Sequence, residues 1–141
     1  MKPQLIQEYV ATGKITFEYR DFAFLGAEST RAAEAAFCAE DQGKFWQYHD
    51  TVFLNQRGEN QGAFSEARLK EMARQVGLDM EAFNECYDNR THKQDVEAMY
   101  NEAKEAGVTG TPSIMINGQL LQGWNGRWET LKAAIDQALA Q

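Results

Sequence analysis

The chain has 141 residues, 43% hydrophobic and 25% charged, with a formal net charge of −7. That length suits one domain, residues 1–141, with a core of its own. The acidity argues against nucleic-acid binding, which needs a basic face, and no run approaches the ~20 apolar residues of a membrane span.

Read in chain order, Gln4 to Ala11 has Leu5, Ile6, Tyr9 and Val10 at helical spacing, and Gly13 can take the left-handed C-cap. Gln4, Gln7 and Glu8 interrupt any signal-peptide h-region. Lys14 to Phe22 alternates Ile15, Phe17 and Tyr19 against Thr16, Glu18 and Arg20, which predicts a strand. Helices are expected over Arg31–Glu40, rich in alanine, and Lys44–Asn55, before a polar loop from Arg57 to Ala63. Ser65 can cap a helix through Gln75 whose inner face is Leu69, Met72, Ala73 and Val76. Asp79 can cap Met80–Tyr87, and Thr91 can begin a long helix to Ala106 with Val96, Met99, Tyr100 and Ala103 inward. In the terminal helix, Trp128, Leu131, Ile135 and Leu139 share one face.

The most telling stretch lies between those last two helices. Pro112 stands directly before an alternating run, Ser113 to Ile116, which turns at Asn117-Gly118 into a second strand, Gln119 to Gln122. Asn-Gly is a strong hairpin signal because a type I′ turn needs positive φ at both central positions. A proline here opens the strand, since it cannot donate within a ladder.

This stretch, Gly107 to Gly123, resembles the thioredoxin superfamily, in which a threonine or similar residue and then a cis-proline open the strand facing the redox site. The order Gly107 to Pro112, Asn117-Gly118, Gly123 is similar to the bacterial DsbA-like branch. So are Ala35-Ala36-Phe37-Cys38-Ala39, the run Gln42 to Asp50, and Tyr19-Arg20-Asp21-Phe22. The resemblance implies an α/β thioredoxin-like fold with a DsbA-type helical insertion over about residues 28–106. It implies thiol–disulfide exchange on cysteine-containing polypeptides, outside the cytoplasm, with no cofactor. It also implies that Thr111 and Pro112 offer backbone to an extended substrate.

Family members carry a C-x-x-C motif at the start of their first core helix. This chain has two cysteines, Cys38 and Cys86, far apart and in no such motif. Its opening residues look like the later turns of that helix, so the first core strand and the redox pair are expected to be missing. The chain is then a fragment or a descendant that lost the chemistry, with no catalytic residue of its own. A missing strand would leave sheet edges unpaired, and a homodimer through that edge is the expected partner. A redox-inactive peptide-binding or assembly module is the alternative. A transferase using a glutathione-type cofactor shares the proline loop but would want a serine, cysteine or tyrosine near residue 1, and none precedes Tyr9.

For Cys38 and Cys86 two readings stand: independent buried thiols, or a disulfide clamping two insert helices, as similar cysteines form in some relatives. A zinc site of Cys38, His49, Cys86 and His92 fits composition only, because no two of them have zinc-ligand spacing. No metal is expected. His49 reads as a packing histidine, and Phe45, Trp46, Tyr48 and Phe53 read as core. Trp124 could line a peptide groove, although packing is the simpler role.

Overall fold

The structure is a computed structural model that describes all of residues 1–141. It divides into two compact units, Met1–Arg20 with Ala103–Gln141, and Asp21–Glu102. Its elements in order are α1 (Lys2–Leu5), a π-helical turn (Ile6–Val10), α2 (Ala27–Glu40), α3 (Phe45–Leu54), α4 (Glu66–Gln75), α5 (Met80–Asp88), α6 (Lys93–Glu105), β1 (Met115–Ile116), β2 (Gln119–Leu120) and α7 (Trp128–Leu139). No helix is long and apolar enough to cross a membrane.

The first unit is built from the two ends of the chain. Pro3 sits in the first turn of α1, where its missing N–H costs nothing. The helix then widens, with the Ala11 N–H reaching back five residues to the Ile6 carbonyl at 2.8 Å. Leu5 and Tyr9 point inward and pack with Leu131 and Ile135 of α7. Around this cluster lie Ile15, Ile114, Ile116, Leu121, Trp124 and Trp128. Trp124 is therefore a packing residue, and its indole N–H donates to the Arg127 carbonyl at 3.4 Å. The buried Tyr9 hydroxyl donates to Asp136 at 2.5 Å and accepts from Lys132 at 2.9 Å, fixing the N-terminal helix to α7.

Strands β1 and β2 pair antiparallel, Met115 opposite Leu120 and Ile116 opposite Gln119. The ladder is extended by the Leu121 N–H on the Ile114 carbonyl at 2.8 Å. Asn117 and Gly118 have φ of 50° and 79°, the pair of positive values that a type I′ turn requires. The strand expected over Lys14–Phe22 does not form: this hairpin is the only sheet, and residues 14–22 join no ladder. The alternation survives only in part as a burial pattern: Ile15 packs inward and Tyr19 is half-buried, whereas Phe17 is exposed. A strand also needs a hydrogen-bonding neighbour, and alternation does not supply one.

The second unit is a helical bundle in which α2 packs on α3, α4 and α5. Its core holds Ala32, Ala35, Ala36, Ala39, Tyr48, Val52, Leu69, Met72, Ala73, Leu78, Phe83 and Tyr87. Alanine gives α2 almost no side-chain bulk, so it can be buried nearly all round. Two corners are cross-fastened. Lys44 Nζ donates to the Val76 and Gly77 carbonyls at the end of α4, at 3.2 and 2.8 Å. The Gln42 amide and the Asp79 backbone exchange two hydrogen bonds, of 3.1 and 2.8 Å.

Caps and faces differ from the sequence reading in places. Asp79 does cap α5, its Oδ1 accepting from the Ala82 N–H at 3.1 Å. Ser65 occupies the N-cap of α4 but makes no capping bond. The α3 aromatics are not all core. Tyr48 and Val52, one turn apart, take the inner face, which leaves Trp46 and Phe53 37% and 57% exposed. Leu139 is exposed as well, because α7 buries itself through Leu131 and Ile135, with Trp128 packed partly against the same cluster.

Candidate functional site

The second unit holds the one covalent bond that sequence reasoning left open. Cys38 lies near the end of α2 and Cys86 near the end of α5, and their Cα atoms are 5.9 Å apart in a closed disulfide. The expectation that the chain lacks the family's cysteine pair is corrected by this bond. A disulfide is present, made between residues 48 apart in sequence instead of within a short motif. In the chain-entropy account, closing a loop of that length stabilises the fold by about 4 kcal/mol.

The bond has a polar neighbourhood. The ligand-capable atoms of Cys38, Cys86 and His92 all lie within 4.8 Å of one another. His92 Nε2 sits 2.7 Å from Asp41 Oδ2, and its Nδ1 sits 2.6 Å from Asp95 Oδ2. The same Asp41 oxygen is 3.8 Å from Cys86 Sγ. Phe37 stacks on the imidazole with ring centres 5.3 Å apart. Burial pushes the His92 pKa down, but the hydrogen bonds and charges of Asp41 and Asp95 outweigh it, leaving the ring more basic than an ordinary histidine. An imidazole held between two carboxylates is stable as the doubly protonated cation.

Of the four residues weighed for a metal, the structure thus brings Cys38, Cys86 and His92 together, without His49. His49 belongs to an aromatic group on α3, stacked on Phe53 with ring centres 4.5 Å apart. Asp41 and Asp95 were not singled out beforehand. The i, i+3 spacing of His92 and Asp95 was visible in sequence, whereas Asp41 arrives from another helix end.

The second candidate, Thr111 with Pro112, belongs to the first unit. The Thr111–Pro112 peptide bond is cis. Thr111, Pro112 and Ser113 are all exposed, and they lead into Ile114 and β1. Ser113 Oγ donates to the Gly110 carbonyl at 2.6 Å, closing the turn before the strand.

Comparison with known proteins bears on the fold and the family. The probable disulfide bond formation protein D of Bacillus anthracis is 29% identical over 97% of this chain, which spans 64% of that relative's length. The crystal structure of oxidised BdbD from Bacillus subtilis superposes with a TM-score of 0.87 at 22% identity, covering 99% of this chain and 76% of that one. A thioredoxin-like oxidoreductase from Silicibacter pomeroyi gives 0.71 at 28% identity, covering 87% and 68%. Both superpositions carry the thioredoxin-like α/β fold, here helix-rich with a small sheet. With the thioredoxin family profile matching residues 1–137, nearly end to end, the chain belongs to the thioredoxin family.

Proposed function

We propose that this chain is the peptide-holding part of a DsbA-like thiol–disulfide oxidoreductase acting on cysteine-containing polypeptides. The observation that carries the reading is the exposed run Thr111-Pro112-Ser113 just before β1. An extended substrate can lie along such a run and bond to its main chain, the way strand-addition sites gain affinity. The names of relatives such as the Bacillus anthracis protein supply the chemistry, thiol–disulfide exchange through a mixed disulfide.

In this reading Cys38 and Cys86 are a clamp, and the 141 residues alone turn over no substrate. Cys38 is 1% exposed, out of reach of an attacking thiolate. Both cysteines lie in the last turns of their helices, where the negative end of the dipole disfavours the thiolate that exchange needs. Asp41 beside Cys86 acts in the same direction. The burial of Cys38 also favours the second reading, a redox-inactive module that keeps the loop to hold peptides. A closed disulfide fits an oxidising compartment in either case.

The test is insulin reduction and dithiol oxidation by this chain, with thiol titration under denaturing conditions. No turnover and no free thiols support the reading. Turnover abolished by Cys86→Ser would move catalysis onto the Cys38–Cys86 bond and overturn it. Binding of an extended peptide that weakens with Pro112→Ala, measured by fluorescence anisotropy, tests the loop separately.

A further inference from the structure

We propose that the reduced form of this chain binds a thiophilic divalent cation of the zinc class, held by Cys38, Cys86, His92 and Asp41. The proposal concerns a different pair of helices from the peptide-holding loop and does not depend on that role. Its basis is that three potential ligands of the types zinc prefers already converge, with a fourth, Asp41, beside two of them. Tetrahedral zinc, with bonds of about 2.3 Å to sulfur and about 2.0 Å to nitrogen or oxygen, needs ligand atoms only about 3.3–3.8 Å apart. The two sulfurs and the His92 nitrogen fall within 4.8 Å of one another. Asp41 Oδ2 stands 3.8 Å from Cys86 Sγ and 2.7 Å from His92 Nε2. Small side-chain shifts would draw the set onto one ion.

The surroundings are also those of a metal histidine. Asp95 holds Nδ1 of His92, the carboxylate–histidine arrangement that fixes the ring and leaves Nε2 to face a metal. Phe37 stacks against the same ring and limits its rotation. Neither contact is needed to hold a disulfide, which is complete in itself.

The bond must open first, and the balance is simple. A dithiol reductant passes two electrons to the Cys38–Cys86 bond, becomes a disulfide, and leaves two thiols on the chain. The cation then displaces the two thiol protons and the Nε2 proton of His92. A small-molecule disulfide reverses this: it takes two electrons from the two thiolates and two protons from water to become a dithiol, the Cys38–Cys86 bond re-forms, the ion leaves and Nε2 of His92 takes up a proton again. The same four side chains therefore hold either a disulfide or a metal, never both, and the occupant is set by the redox state.

Cobalt(II) added to the full chain without oxygen tests the site. After reduction, one equivalent should bind, with the intense visible bands of tetrahedral cobalt and a thiolate-to-metal charge-transfer band. The oxidised chain should show neither. Asp95→Asn should weaken binding by about tenfold to a hundredfold, and His92→Gln by at least about tenfold. If reduction loosens the helices, cobalt must restore the far-ultraviolet circular dichroism of the oxidised chain. Absence of the charge-transfer band, undiminished binding by His92→Gln, or cobalt failing to restore lost helicity would each overturn the proposal.

Discussion

Glu34 is the least expected residue in the molecule, a carboxylate 1% exposed in the middle of an alanine helix. It is tolerated because its charge is met twice. Arg90 reaches it through two hydrogen bonds, of 2.6 and 3.2 Å, and Arg31 through another. Arg31 also donates to the Tyr87 carbonyl at 2.9 Å and lies 3.7 Å over the Tyr87 ring. Burial pushes the Glu34 pKa up, but the two guanidinium groups prevail and hold it below the usual carboxylate value. A folded-state pKa below the unfolded one contributes stability that is fully present above the unfolded value, about 4.3 for glutamate. That contribution fades as pH falls through the depressed folded pKa. Glu34→Gln should therefore cost on the order of 3 kcal/mol at neutral pH, by stranding two cations. The gap from wild type should shrink once pH drops below about 4. Urea denaturation from pH 3 to 7 measures both, and a gap that does not change with pH would refute the assignment. Nothing in sequence announced Glu34, because its partner Arg90 arrives from beyond α5.

At the scale of elements, the clamp between α2 and α5 is the largest single contribution that can be removed cleanly. Replacing both cysteines by serine should lower stability by about 4 kcal/mol, read as a fall in the free energy of urea unfolding, with a steeper slope because the opened denatured chain exposes more surface. A loss under about 1 kcal/mol would mean that the unfolded chain gains little freedom when the loop opens. Elements were legible in sequence wherever the signal was local. The Asn117-Gly118 turn, the Asp79 cap and the faces of α4 and α7 around Leu69, Met72 and Leu131 needed only spacing and turn chemistry. The strand over Lys14–Phe22 was misread because pairing is a property of two segments. The disulfide stayed open for the same reason, since its partners lie 48 residues apart. The convergence of His92 with Asp41 likewise depends on which helix ends the bundle brings together.

For the whole molecule, the two-stranded sheet has consequences for association. Outside the β1–β2 pair no strand completes the hairpin's outer edges, and Met115 is 43% exposed. Unpaired edges of this kind invite another chain, so we predict a homodimer through the hairpin. Sedimentation velocity at micromolar concentration should show a species of twice the monomer mass, and a lone monomer peak would remove the idea. The family was readable from the proline loop and the runs around Cys38 and His49 because such motifs are contiguous. The resemblance also implied a helical insertion over about residues 28–106, and the second compact unit spans residues 21–102.

That insertion has a consequence during synthesis. The bundle is one uninterrupted stretch, and its core from Ala32 to Tyr87 is synthesised, and emerges from the ribosome, ahead of β1, β2 and α7. It can fold as it emerges, as early-translated units generally do. The helix around Leu5 and Tyr9, though made before the bundle, must wait for Leu131 and Ile135, the residues that cover it. A segment made before the bundle is thus packed after it. Until then its apolar face is open to whatever escorts the nascent chain.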